Sequence, residues 1–265
     1  MTTGYVQLTF FQVAIAASLI LINGLLSVLL QLRLEWSLLL AALRTVVQLL
    51  LIGSILEWVF AADRWYLILA VLAVMTLVAG ITAAGRSQHR FPGIYCNSIV
   101  SVWASSWLIG SMALFIVAGQ FDHWYHPQYS VPLLGMILGN TLNGIALGLN
   151  QLGESLISRQ ARVELALTLG ATRWEAAREV VQHAVRTGMI PIINSMMVVG
   201  IVNLPGMMTG QILAGAAPLD AVKYQIVIMF FIASATALGT VGVVLLSYRR
   251  LFNDRHQFLH WLLRN

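Results

Sequence analysis

Arg44 is a guanidinium in the middle of an apolar run, Leu38–Phe60, with Gln48 one helical turn away on the same face. A central arginine costs ~2.5–3.5 kcal/mol on insertion scales, so such residues face protein or a water-filled cavity. Two roles are open to it: a pathway or gating residue, or a structural arginine that satisfies backbone carbonyls and amide side chains. No carboxylate lies deep in any apolar run to pair with it, since Glu57 and Asp63 fall near one end and Glu35 near the other. A second polar group, Asn140 and Asn143, sits between two G-x-x-x-G pairs, Gly135/Gly139 and Gly144/Gly148. Small residues let helices approach closely and amides can bridge them, so packing is the first reading and contact with a transported molecule the second. A third group combines Asn194, Asn203, Pro205, Met207 and Met208. Pro205 and Gly206 would break a helix and free carbonyls, as at many membrane transport sites. Thioethers are soft donors better suited to Cu(I) than to iron, so these methionines read as a mobile gate before a metal cage. Finally, His123 and His126 beside Asp122 could bind a divalent ion, but without a further ligand a polar solvated loop is the first reading.

The elements that would position these groups follow from composition. The chain has 265 residues, 59% hydrophobic and 9% charged, with mean hydropathy +0.82. Soluble domains carry roughly 25% charged residues, so most of this surface does not meet water. Cys96 is the single cysteine, which excludes an internal disulfide and thiolate clusters. The first apolar run lacks a positive segment before it and is too long for a signal h-region; it reads as a retained helix.

Seven runs approach the ~20 residues that a helix needs to cross ~30 Å of hydrocarbon: Leu8–Leu30, Leu38–Phe60, Trp65–Ala84, Asn97–Ala118, Val131–Leu149, Met189–Ala214 and Val222–Ser247. The expected fold is an all-α polytopic bundle forming one domain over residues 1–265, with Pro191 in a first helical turn and a possible break near Pro205. With the N-terminus outside, twelve arginines fall in inside segments against Arg64 and Lys223 outside. That bias places the C-terminus in the cytoplasm and explains the net charge of +5 as topology instead of nucleic-acid binding.

Residues 153–188 are the one large hydrophilic loop. They read as an amphipathic helix pair: Gly170 offers a left-handed cap to the first helix, and Thr172 with Glu175 forms a capping box for the second. The pair either rests on headgroups and the bundle or docks a cytoplasmic partner. Glu164, Ala166, Gly170, Ala171, Thr172, Arg173 and Trp174 resemble the E-x-A-x-x-x-G coupling segment of ABC-transporter permeases, without the usual Leu-Pro downstream. In those proteins the segment inserts into a separate ATPase subunit.

Leu204-Pro-Gly-Met-Met-Thr-Gly210, Ile212-Leu-Ala-Gly215, Lys223-Tyr-Gln225 and Tyr248-Arg-Arg-Leu-Phe-Asn-Asp-Arg-His256 resemble the FetB (YbbM) family, as do Arg44-Thr-Val-Val-Gln48 and Gly135-Met-Ile-Leu-Gly-Asn140. Bacterial members are described as iron-export permeases, and plant aluminium-tolerance permeases belong to the same family. The resemblance implies a permease subunit of an inner-membrane ABC exporter, a homodimer with two ATPase subunits, and a metal cargo. It leaves a small organic or nucleotide-sugar cargo open.

No G-x-x-x-x-G-K-[ST] occurs, so ATP and Mg²⁺ are expected on a partner and no cofactor on this chain. Neither H-E-x-x-H nor G-x-S-x-G is present, which leaves a membrane-embedded enzyme few candidate groups. The remaining alternative is an ATP-independent carrier or channel.

Overall fold

The structure is a computed structural model, and it describes residues 9–62, 64–118 and 127–263. They divide into two compact units, Met1–Arg64 and Trp65–Asn265. The first is a hairpin of α1 (Phe10–Leu29) and α2 (Glu35–Ala62). Its turn is held by Ser27, whose hydroxyl accepts from Leu34 N–H (2.9 Å) and donates to Glu35 Oε2 (3.0 Å).

The second unit contains α3 (Trp65–Gly85), α4 (Ile94–Ala118), α5 (Pro127–Ser158), α6 (Gln160–Thr168), α7 (Arg173–Val198), α8 (Gly206–Leu213) and α9 (Pro218–Leu251). A short 3₁₀ turn, His260–Leu262, follows. Six of the described helices are long and apolar enough to span a membrane: α1 to α5 and α9. The protein is therefore a helical membrane bundle.

Two boundaries differ from the sequence expectation. The stretch Met189–Ala214 is not one span: α7 ends at Val198, an irregular segment follows, and α8 starts after Pro205. Moreover, the second helix of the hydrophilic loop does not stop at Gly188 but continues as α7, so Pro191 lies inside a helix and not in its first turn. Gly188 continues the helix because it is a packing residue. A Cβ there would lie 2.6 Å from the Gly144 carbonyl oxygen and 2.6 Å from Thr240 Cγ2.

That contact belongs to a seam of small residues joining α5, α7 and α9. A Cβ at Gly144 would sit 2.6 Å from Thr240 Oγ1 and 2.7 Å from Thr236 Cγ2, and one at Gly148 would sit 3.1 Å from Thr240 Cγ2. The G-x-x-x-G spacing thus works as expected for Gly144 and Gly148, whereas Gly139 faces open space. Next to the seam, Ile109, Leu133, Ile137, Ile192, Ile228 and Ile232 form a buried apolar cluster shared by α4, α5, α7 and α9. Matching Gly144 to Thr240 and Gly148 to Val244 shows that α5 and α9 run parallel. At 32 and 34 residues, they measure about 48 and 51 Å. Both exceed the hydrocarbon core of ~30 Å, so they carry the segments at their C-terminal ends beyond it.

Candidate functional site

The loop between α6 and α7 is capped on both sides by local hydrogen bonds. Thr168 ends α6, and Gly170 takes φ +92°, a conformation that glycine adopts without a Cβ penalty. Gly170 N–H donates to the Leu167 carbonyl (3.1 Å) and Ala171 N–H to the Ala166 carbonyl (3.0 Å), the paired bonds of a Schellman cap. Two residues on, Thr172 Oγ1 accepts from Glu175 N–H (3.3 Å), while Thr172 N–H donates to Glu175 Oε2 (2.8 Å). The hydroxyl also donates to that carboxylate at 2.7 Å. These backbone and side-chain bonds from Thr172, helped by nearby His256, hold the Glu175 carboxyl below the ordinary carboxylate range. Both helix ends at the tip are therefore satisfied by local chemistry, and Leu165, Leu169 and Trp174 remain exposed there.

The chain's last described residues brace this tip, an arrangement the sequence did not reveal. Arg173 Nη1 donates to the Asn253 carbonyl (3.2 Å) and to Asp254 Oδ1 (2.9 Å), and its backbone N–H donates to His256 Nδ1 (3.1 Å). Residues 252–259 fold as a hook around Asn253, whose Oδ1 accepts from Arg255 N–H (3.1 Å) and Gln257 N–H (2.8 Å). Trp174, Tyr248, Phe252 and Phe258 form a continuous aromatic row with centroid spacings of 5.7, 5.3 and 5.1 Å. On the α6 side, Glu164 accepts from Gln160 Nε2 (2.8 Å) and lies 3.7 Å from His260 Nδ1. Glu164, Ala166, Gly170, Ala171, Thr172, Arg173 and Trp174 thus come together in one capped, buttressed turn. The N-x-x-x-Q spacing of Asn253 and Gln257 was the available signal for the hook. Its partner Arg173 lies too far along the chain for that spacing to name.

The other polar groups lie apart from the tip. Asn203 and Pro205 belong to the irregular segment after α7, where Gly200 N–H donates to the Asn203 carbonyl (2.9 Å) and Thr209 N–H and hydroxyl both bond the Pro205 carbonyl (3.0 and 3.1 Å). A cleft of about 580 Å³ opens between this segment and α9, lined by Met196, Met208, Met229 and Gln225 among others. Gln225 is buried and its Oε1 has no hydrogen-bond partner among the described residues, a costly state that a ligand or a moved helix would relieve. Met207 packs on the buried cluster instead, and Asn194 is exposed on α7. Asn140 Nδ2 donates to the Met136 carbonyl of its own helix (2.9 Å), and Asn143 Oδ1 accepts from Arg86 (2.8 Å). Arg44 and Gln48 lie on α2, exposed and without a hydrogen-bond partner among the described residues. His123 and His126 lie outside the described residues. Among the described residues, no group of three or more His, Cys, Asp or Glu is placed to hold a metal ion.

Residues 10–252, nearly the whole chain, match the model of the Uncharacterised protein family UPF0014. This chain belongs to that family. A UPF0014 membrane protein of Synechocystis is 40% identical over 228 residues, 86% of this chain and 88% of the relative. The probable iron export permease protein FetB of Escherichia coli is 32% identical over 246 residues, 93% of each chain. The Arabidopsis thaliana protein ALUMINUM SENSITIVE 3 is 31% identical over 244 residues, 92% of this chain and 88% of the relative. No solved structure matches. The UPF0014 assignment agrees with the resemblance read from Leu204–Gly210 and Tyr248–His256, and it covers both the capped tip and the broken helix.

Proposed function

We propose that this UPF0014 chain is the membrane-spanning subunit of an ABC exporter in the inner membrane, driven by ATP and Mg²⁺ bound to a separate ATPase subunit. The observation that carries the reading is the α6–α7 tip. A turn capped on both sides, braced by the C-terminal hook and still exposing Leu165, Leu169 and Trp174 suits insertion into a cleft on a partner. The chain acts as a homodimer, with its N-terminus outside and the tip and C-terminus in the cytoplasm, as the arginine distribution indicates. Its cargo is metal-related, with iron taken from the name of the Escherichia coli relative. The broken helix beside Gln225 also suits an ATP-independent carrier, where irregular backbone lines a substrate cavity.

The test is ATP hydrolysis in liposomes holding this chain with the ATPase encoded beside it, with and without Fe²⁺, in wild type and Gly170→Arg. A side chain at φ +92° strains the tip, so the permease reading expects coupled hydrolysis that the variant loses. Iron stimulation would identify the cargo, and indifference to iron would remove that part alone. Failure of any ATPase to associate with the chain would leave the carrier reading.

A further inference from the structure

At the end of the second unit that bears the tip, a cleft of about 330 Å³ is bounded by the segment after α3, by α5 and by α7. Its polar lining is Arg86, Gln88, Asn143 and Asn150, set on apolar walls that include Leu147 and Pro191. Arg86 is held in place, not carried on a free loop. Its backbone N–H still bonds the Thr82 carbonyl (3.2 Å), and the next residues are pressed onto α5, where a Cβ at Gly153 would lie 2.7 Å from His89 Cβ. Asn143 and Asn150 are two turns apart on one face of α5.

The hydrogen bonds fix which way both amides point. Asn143 Oδ1 accepts from Arg86 Nη1 (2.8 Å), and Asn150 Oδ1 accepts from the Gln88 backbone N–H (3.1 Å). Both partners are obligate donors, so each oxygen is turned toward its donor and neither amide can be flipped. What remains is the NH₂ group of each asparagine, without a partner among the described residues, together with the rest of the Arg86 guanidinium. Among the described residues, the lining contains no carboxylate. A bare divalent cation needs oxygen or nitrogen lone pairs. Apart from the Gln88 side-chain amide, which can donate or accept, the lining presents chiefly hydrogens and a positive charge, the complement of an oxyanion. The volume lies at the lower end of the ~300–1,000 Å³ typical of small-molecule sites.

We infer that this cleft binds a small molecule through a carboxylate or phosphate group, with Arg86 as the charge anchor and the Asn143 and Asn150 amides as neutral donors. Only the step from ligand to cargo rests on the permease reading: a metal leaving by this route would travel as an anionic chelate and not as the aquo ion.

The experiment is calorimetric binding to the full chain in phosphatidylcholine nanodiscs without any ATPase. The probes are citrate, ferric citrate, inorganic phosphate and Fe²⁺ alone, with a parallel arm in which phosphatidylglycerol replaces part of the lipid. At least one soluble anion should bind, and Arg86→Gln should weaken it about tenfold or more, the loss of one charged hydrogen bond. Asn143→Asp keeps an acceptor for Arg86, and so keeps the fold, but adds a negative charge; it should abolish binding. Phosphatidylglycerol that competes with the soluble anion through Arg86 would identify a headgroup phosphate as the natural ligand of the same site. Fe²⁺ binding alone, no anion binding from either source, or affinity unchanged in Asn143→Asp would overturn the inference. Association with the ATPase, measured on the same nanodiscs, tests the permease reading separately.

Discussion

Replacing Arg173 with alanine should loosen the C-terminal hook while leaving the bundle intact. Arg173 makes two side-chain contacts to the hook and one backbone contact, and the substitution removes only the first two. The ion pair is weak because Asp254 is 98% exposed, and such pairs contribute about 0.2–1 kcal/mol. The bond from the half-buried guanidinium to the Asn253 carbonyl adds about 1 kcal/mol. Together they lower the opening free energy of the hook by about 1.5 kcal/mol, roughly a tenfold loss of exchange protection. Native-state hydrogen exchange reports this at the Asn253, Gln257 and Leu259 amides, which are bonded within or to the hook. Asp254→Ala removes only the exposed pair and should change protection about twofold. Equal loosening by the two variants would place the whole tether in the Asp254 ion pair, and unchanged protection in Arg173→Ala would show that the aromatic row alone holds the hook.

Gly144→Ala should destabilise the bundle by about 1–3 kcal/mol through overpacking, because its Cβ meets Thr240 and Thr236 inside 3 Å. Gly139→Ala, with nothing within 4 Å, should be neutral or stabilising by up to about 1 kcal/mol; thermal melts in one detergent compare them. The Thr172–Glu175 cap should be insensitive to pH near neutrality. Because the folded carboxyl titrates below its unfolded value of about 4.3, the cap's stabilisation is complete above that value and declines as pH falls through the lowered one. Exchange at the start of α7 between pH 3 and 6, compared with Thr172→Ala, follows that loss. Gln225→Leu removes a buried oxygen that has no partner among the described residues, so it should raise the melting temperature. If the cleft beside it serves transport, the same variant should lower flux, and an unchanged flux would make Gln225 an internal residue of no consequence to cargo.

Local signals were the legible ones. Gly170 and the Thr172–Glu175 box announced their caps because the partners lie within five residues, and Pro205-Gly206 announced the break in the same way. The small-residue spacing was legible as packing but not as to which pair packs, because Gly139 and Gly144 look alike until α7 and α9 are placed against one of them. The same blindness made Gly188 read as a boundary. A glycine weakens a helix from inside, but here it lets α7 touch α5, and tertiary contact outweighs propensity. The cleft at Arg86 was also invisible. Its arginine counted only as topology, and the meaning of Asn143 and Asn150 depends on which donors occupy their oxygens.

The single helix α7 links these places. It begins at Arg173 in the braced tip, crosses α5 at Gly188, passes the donor cleft at Pro191 and ends at Val198, where the chain breaks beside Gln225. Pro191 removes one helix hydrogen bond just past the crossing, so the rod is softest next to its tightest contact. A force applied at the tip would therefore pivot α7 about Gly144 and Gly188, moving the cleft wall and the broken end together. With a bulky residue at the crossing, the pivot is lost before the tip is touched. Under the proposed function, an overpacked seam should thus leave ATPase association intact while severing hydrolysis from transport, a separation that damage to the tip itself would not produce.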